Sequence, residues 1–122
     1  SEVGLIHNDI NWENLVLDEQ FRVRAVIDFD NVTRAPWVLE VGAAAVVLAG
    51  AAPDRVEEFV AAYEDAAAWR LDRDLVRLGM ELKCVRSIST SIVAHLRGHA
   101  DPRRLEPWCR DLHATLRTLD QT

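Results

Sequence analysis

His7, Asp9 and Asn14 stand two and then five residues apart in the stretch LIHNDINWEN, directly after the apolar pair Leu5 and Ile6. A carboxylate in a short loop can take a proton from a hydroxyl. A neutral amide paired with a carboxylate suits a hard cation that prefers oxygen ligands. Twenty-one residues on from Ile6, the segment AVIDFDNV repeats the arrangement, an apolar run closed by Asp28 and Asp30. The same residue types are common turn formers and caps, so a plain reading has Asp9 and Asn14 capping turns and Asp28 and Asp30 ending a strand. Either these are two ordinary strand ends, or they are two halves of one metal and phosphate site.

The elements that must position these residues fall into two zones. Val3 to Ile6 and Leu15 to Leu17 are brief apolar runs, and Arg22 to Ile27 alternates polar with apolar. LDEQF between the last two reads as a hairpin turn. Pro36 closes an irregular loop, and Val38 to Ala49, rich in Ala and Val, reads as a buried helix with Gly50 as its stop. Three amphipathic helices follow. Pro53 suits a first helical position, and Val56, Phe59, Val60 and Tyr63 fall on one face. Leu75, Leu78, Leu82, Val85, Ile92 and Leu96 keep helical spacing up to Gly98 and are expected in the core. Asp101 caps a helix entered by Pro102, with Leu105, Trp108, Leu112, Leu116 and Leu119 as its stripe. The expectation is one α+β domain over 1–122, predominantly helical. Residues 3–50 form a small β-hairpin region carrying the site, set against a scaffold of about four helices in 51–122 and the segment before it.

Composition excludes some functions. The net charge of -6 argues against nucleic acid as the main partner, because phosphate contacts need clustered Lys and Arg. Cys84 and Cys109 show neither metal-like spacing nor a disulfide framework, and free thiols in a reducing cytoplasm are the expectation. The sequence has no basic-then-apolar leader and no apolar run of membrane-spanning length, so neither secretion nor a membrane partner is expected.

The order H-x-D-x-x-x-x-N, with an acid fourteen residues after the Asn, resembles the catalytic loop and metal-binding acid of kinase-like phosphotransferases. The closer resemblance is to the aminoglycoside phosphotransferase and choline kinase-like family, whose loop reads H-G-D-x-x-x-x-N, followed by I-D-[FW]. This chain has HNDINWEN and then IDFD, and PWVLEVG at Pro36 to Gly42 looks like the family's P-x-x-x-[DE]. The resemblance implies the C-terminal lobe of a protein-kinase-like fold and ATP-dependent phosphorylation of a small-molecule hydroxyl, with aminoglycosides, choline, homoserine and sugars as acceptors in the wider family. It implies Asp9 as the base, His7 as the brace of its loop, and Asn14 and Asp28 as ligands of the magnesium that bridges the ATP phosphates. Asp30 either assists the metal or caps the loop.

The chain departs from the pattern in places. Asn8 stands where glycine is common, Glu40 replaces a more frequent aspartate, and Trp12-Glu13 replaces a smaller pair beside the acceptor site. Lys83 is the only lysine, and the five glycines are isolated from one another, so no phosphate-covering loop can be read. The chain therefore looks like a C-terminal lobe without the nucleotide-gripping lobe. Self-association, most simply a two-fold dimer, is expected through apolar surface near Leu5, Ile6, Trp12 and Val16. The acids Glu57, Glu58, Glu64 and Asp65 could suit a cationic acceptor but read more simply as a solvated face.

Two rival readings come from other classes. IDFDNVT also resembles the first motif of haloacid dehalogenase-like phosphatases, with Asp28 as nucleophile, Asp30 as acid and base, and Lys83 as that family's lysine. That fold needs parallel strands alternating with helices, nothing after Val47 reads as a strand, and HNDINWEN is left unexplained. A non-catalytic helical interaction module is the other rival.

The expected outcome for the chain by itself is weak magnesium binding and no saturable ATP binding, because one or two protein oxygens hold magnesium loosely. Calorimetry with magnesium and ATP, beside a phosphate-transfer assay over small hydroxyl compounds, checks this. Saturable micromolar ATP binding with turnover would refute it.

Overall fold

The structure, a computed structural model, describes residues 2–121. Four short strands, β1 (Val3–Ile6), β2 (Leu15–Leu17), β3 (Val23–Val26) and β4 (Thr33–Pro36), precede four helices. These are α1 (Trp37–Leu48), α2 (Pro53–Ala67), α3 (Arg73–Leu96) and α4 (Pro102–Asp120). The α+β, predominantly helical expectation holds, and the helix boundaries lie close to the caps that announced them. Asp101 accepts an amide of the first turn of α4, and Gly50 follows α1 with a left-handed φ of 77°; Asp72, not singled out from the sequence, caps α3 in the same way.

The strands pair in a way the sequence did not disclose. The segment expected as an irregular loop ending at Pro36 is β4, antiparallel to β1 with Val3 opposite Pro36 and Ile6 opposite Thr33. The partners lie some thirty residues apart, and TRAP carries no apolar alternation to announce a strand. β2 and β3 form the expected hairpin, with Leu15 opposite Val26 and a bulge between Val16 and Leu17. Asp18 closes it by receiving the Phe21 amide on its backbone oxygen and the Gln20 and Arg22 amides on its carboxylate. β1 and β4 lie against α1, whereas the β2–β3 hairpin stands largely exposed.

The core gathers Val38, Val41 and Ala45 of α1, Val60 of α2, Val76 and Met80 of α3, and Leu119 of α4. The α2 face read from the sequence is borne out, with Val56, Phe59 and Tyr63 packed around Val60. The α3 face is not. Leu78, Leu82, Val85, Ile92 and Leu96 are exposed, and only Leu75 of that stripe packs on the core. The buried face carries Val76, Gly79, Met80, Cys84, Ser87 and Ser91 instead. The reason is the closeness of α1. A Cβ at Gly42 would fall onto the Val76 carbonyl oxygen and lie 2.8 Å from the backbone of Gly79 and Met80. One at Gly79 would meet Leu39 backbone at 3.2 Å. Helices this close admit only small side chains between them, so the large aliphatic residues of α3 are turned outward.

The accessible surface is 8374 Å², against about 6,600 Å² for a compact monomer of this mass. The outward α3 stripe contributes to that excess, and so do Leu5, Trp12 and Val16, while Ile6 is buried. Among the described residues no helix is long and apolar enough to cross a membrane.

Glu64, expected on a solvated face, is buried at the α2–α3 junction. Its carboxylate accepts the Leu71 amide at 2.6 Å and Arg73 at 2.8 Å, and Arg73 also grips Glu57 at 2.7 Å. Those Arg73 and Leu71 hydrogen bonds pull the Glu64 pKa down from near 4.5 to about 2. A depressed acid stabilises the fold above its unfolded pKa, and that contribution is lost as pH falls through the folded value. Urea midpoints are therefore expected to fall as pH drops from about 4.5 toward 2, and Glu64→Gln should flatten this dependence. Parallel pH profiles for the two proteins would contradict the assignment.

Candidate active site

The loop after β1 is built almost wholly from side chains that hydrogen-bond their own neighbours. Asn11 opens a single 3₁₀ turn, Trp12–Asn14, its Oδ1 accepting the Glu13 amide at 2.9 Å and the Asn14 amide at 3.2 Å. This cap turns the chain so that Asn14 points back at Asp9. The Asn14 amide donates to the Asp9 carbonyl at 2.8 Å and to Asp9 Oδ2 at 3.1 Å. Asn11 Nδ2 donates to the other carboxylate oxygen at 3.1 Å. Asp9 thus has both carboxylate oxygens oriented by amides. Asn14 is buried, and its own Oδ1 makes no hydrogen bond among the described residues.

His7 ties this loop to the strand end that carries Asp28. It is buried, its Nε2 donates to the Ile27 carbonyl at 2.8 Å, and its Nδ1 accepts the Asp9 amide at 3.2 Å. A neutral ring protonated on Nε2 satisfies both partners. Phe29 meets the ring edge-on, with centroids 4.7 Å apart. The Ile27 amide in turn donates to the Asn14 carbonyl at 2.9 Å. Ile27 is therefore gripped on both sides by the His7–Asn14 loop, which fixes where the following residue begins. That residue, Asp28, has a left-handed φ of 60° and is exposed, with Asp30 beyond it also exposed. Asp28 Oδ1 receives only a long contact, 3.5 Å, from the Asp30 amide.

All of His7, Asp9, Asn14 and the base of Asp28 are thus brought into one hydrogen-bonded unit, while Asp30 lies at its margin. Among the described residues no three His, Cys, Asp or Glu side chains cluster into a metal cage. The donor set on offer is one unpaired amide oxygen, Asn14 Oδ1, with the exposed Asp28 carboxylate. It fits magnesium, which binds through one or two protein oxygens and keeps its remaining waters.

Sequence reasoning singled out Asn8 and Glu40 as departures but missed Arg86 and the clamp that the three form. Asn8, with a left-handed φ of 69°, donates its amide to Glu40 Oε1 at 2.8 Å. Arg86 of α3 donates to Asn8 Oδ1 at 3.0 Å and to its carbonyl at 3.4 Å. Asparagine adopts this backbone region more readily than most residues, which answers how the chain turns where glycine was expected. Lys83 was noted as the only lysine and as the lysine of the dehalogenase reading, with no place beside Asp9, yet it lines the same cleft as Asp9. Its signal lay in the true inner face of α3, where Met80, Cys84 and Ser87 flank it. Glu57, Glu58, Glu64 and Asp65 do not line the Asp9 cleft. The parallel sheet of the dehalogenase reading is also missing, since both sheets of the described residues are antiparallel.

Among known proteins, a family model described as a phosphotransferase enzyme family matches residues 1–78. Neither the curated proteins nor the solved structures yield a match.

His7→Ala should leave the Ile27 carbonyl and the Asp9 amide unpaired, lowering stability by about 1–3 kcal/mol. The Asp9 amide should also lose protection from hydrogen exchange. Urea unfolding with exchange followed by NMR checks both, and an unchanged Asp9 amide would show that His7 does not hold the loop.

Proposed function

The chain belongs to the phosphotransferase enzyme family, and on that premise we propose that it carries the catalytic loop for ATP-dependent phosphorylation of a small-molecule hydroxyl. The observation that carries this reading is the Asp9–Asn14 pair. The Asn14 side-chain nitrogen orients the carboxylate and leaves its own oxygen without a partner among the described residues, while the Asn14 backbone carbonyl holds the Ile27 amide just before Asp28. The order of elements, four short strands and the Asp9 loop followed by four helices with β1 and β4 against α1, also supports reading the chain as the C-terminal lobe of a kinase-like fold.

In this reading Asp9 receives the proton of the acceptor hydroxyl as the phosphoryl group moves to that oxygen. Its two amide partners keep the carboxylate from rotating away and leave it aimed. Asn14 Oδ1 and Asp28 would hold magnesium, with Asp30 near enough in sequence to reach the same ion's waters. When bound, that ion supplies charge neutralisation along the nucleotide phosphates. His7 acts at one remove, fixing the distance between the Asp9 loop and the Asp28 backbone, and is a positioning residue.

Asp9→Asn in the complete enzyme should lower turnover by a factor on the order of 10² or more, with nucleotide binding retained. Asp28→Ala should instead raise the magnesium concentration needed for activity. Near-normal turnover in the Asp9 variant would remove it as the base, and an unchanged magnesium titration would remove Asp28 as a ligand.

A further inference from the structure

The cleft beside Asp9 has a chemistry that the base and metal roles leave unused. Three depressions of about 330, 570 and 370 Å³ open around the loop, and Asp9 and Lys83 line all three. Neither Asn14 nor Asp28 lines any of them. Lys83 therefore stands on a side of Asp9 that the candidate cation ligands do not share.

Lys83 is half-buried and makes no hydrogen bond or ion pair among the described residues. An ammonium drawn out of water without a hydrogen-bonded counter-ion is costly. Burial and the nearby Arg86 lower its pKa, against a smaller opposing pull from Asp9. Arg86, nearly one turn further along α3, commits two of its nitrogens to Asn8 and retains other N–H donors at the cleft wall. Ser87 is only 7% exposed, and its hydroxyl donates no hydrogen bond among the described residues, yet it lines the 570 and 370 Å³ depressions. Thr90 joins it in the latter. Positions 83, 86, 87 and 90 recur at three- and four-residue spacing and so share one side of the helix.

The acids facing this cleft are accounted for. In the 370 Å³ depression Asp9 is the one lining carboxylate. Glu40 lines the 330 Å³ depression, where its Oε1 is held by the Asn8 amide. Glu13 and Asp111 line the 570 Å³ depression alone.

We infer that Lys83, Arg86, Ser87 and Thr90 form an oxyanion cradle for a carboxylate carried by the phosphate acceptor, which makes the acceptor class a hydroxy carboxylate. This rests on the reading of Asp9 as the acceptor-side base. A substrate anchored by its carboxylate on α3 has one end fixed and its hydroxyl directed at Asp9, which is the orientation that phosphoryl transfer needs. The transferring phosphoryl group is the other source of an oxyanion. It belongs beside the metal ligands, and those are absent from the lining.

The test uses the chain with neither magnesium nor nucleotide present, so that it does not depend on the metal site. Glycerate, glycerol and 3-amino-1,2-propanediol differ in one terminal group, and inorganic phosphate and pyrophosphate are added as separate probes. NMR titration should show saturable glycerate binding with shifts at Lys83, Ser87 and Thr90, and neutral glycerol and the cationic aminodiol at least roughly tenfold weaker. Lys83→Gln and Ser87→Ala should each weaken glycerate, the former by roughly 10- to 100-fold, with thermal melting showing both variants folded. Tighter binding of the aminodiol, glycerate binding indifferent to Lys83→Gln, or phosphates binding at these residues where glycerate does not would each overturn the inference. Absence of binding by any probe would overturn it as well. Failure of the phosphotransferase reading would look different, with glycerate bound as expected and turnover of the complete enzyme insensitive to Asp9→Asn.

Discussion

The separation of α1 and α3 is the constraint from which the rest follows. Gly42 lets the two backbones meet where no Cβ would fit, and Gly79 leaves room for one only in tight contact with Leu39. That contact brings Glu40, on α1, under the Asn8 amide and Arg86, on α3, over the Asn8 side chain. The loop is thus held between two helices whose spacing is set by missing side chains. Widening it by one methyl group would part Glu40 and Arg86 from the residue they share. The small inner face of α3 has the same origin, as does the exile of its leucines to the surface.

Within the loop, stability and chemistry use the same groups. The carboxylate that would act as base is also the acceptor that fixes Asn11 and Asn14, and the histidine that spans the loop presents no free nitrogen for proton transfer. Such a loop is rigid because its polar groups satisfy one another in a small volume, where each partner's position depends on the rest. Asn14 Oδ1 and the Asp28 carboxylate are the groups this economy leaves over, together with Lys83 across the cleft.

Local chemistry was legible and long-range packing was not. That His7, Asp9 and Asn14 share one loop and Asp28 closes a strand end could be read because each lies within a few residues of the signals that place it. Helix ends were legible for the same reason, since Pro53, Gly50 and Asp101 act through their own backbone or the amides next to them, although the Asp72 cap was passed over. β4 was missed because its partner is distant, and the α3 face was misread because hydrophobic spacing reports which residues share a side, not which side is covered. Five aliphatic residues made the more conspicuous stripe, yet the close contact with α1 favoured the side with Gly79, Cys84 and Ser87. The Glu40–Asn8–Arg86 clamp joins three segments and could not be seen from any one of them.

The single lysine has a consequence for covalent labelling. Every other cationic side chain in the sequence is arginine or histidine, so Lys83 holds the one side-chain primary amine. The fold puts that amine in the cleft with Asp9 rather than on the outer helices. Amine-directed reagents, which on most proteins decorate the surface at many points, have one side-chain address here. An acyl group or dye attached there reports on the cleft alone, and the outer faces of α2 and α4 stay silent to such chemistry.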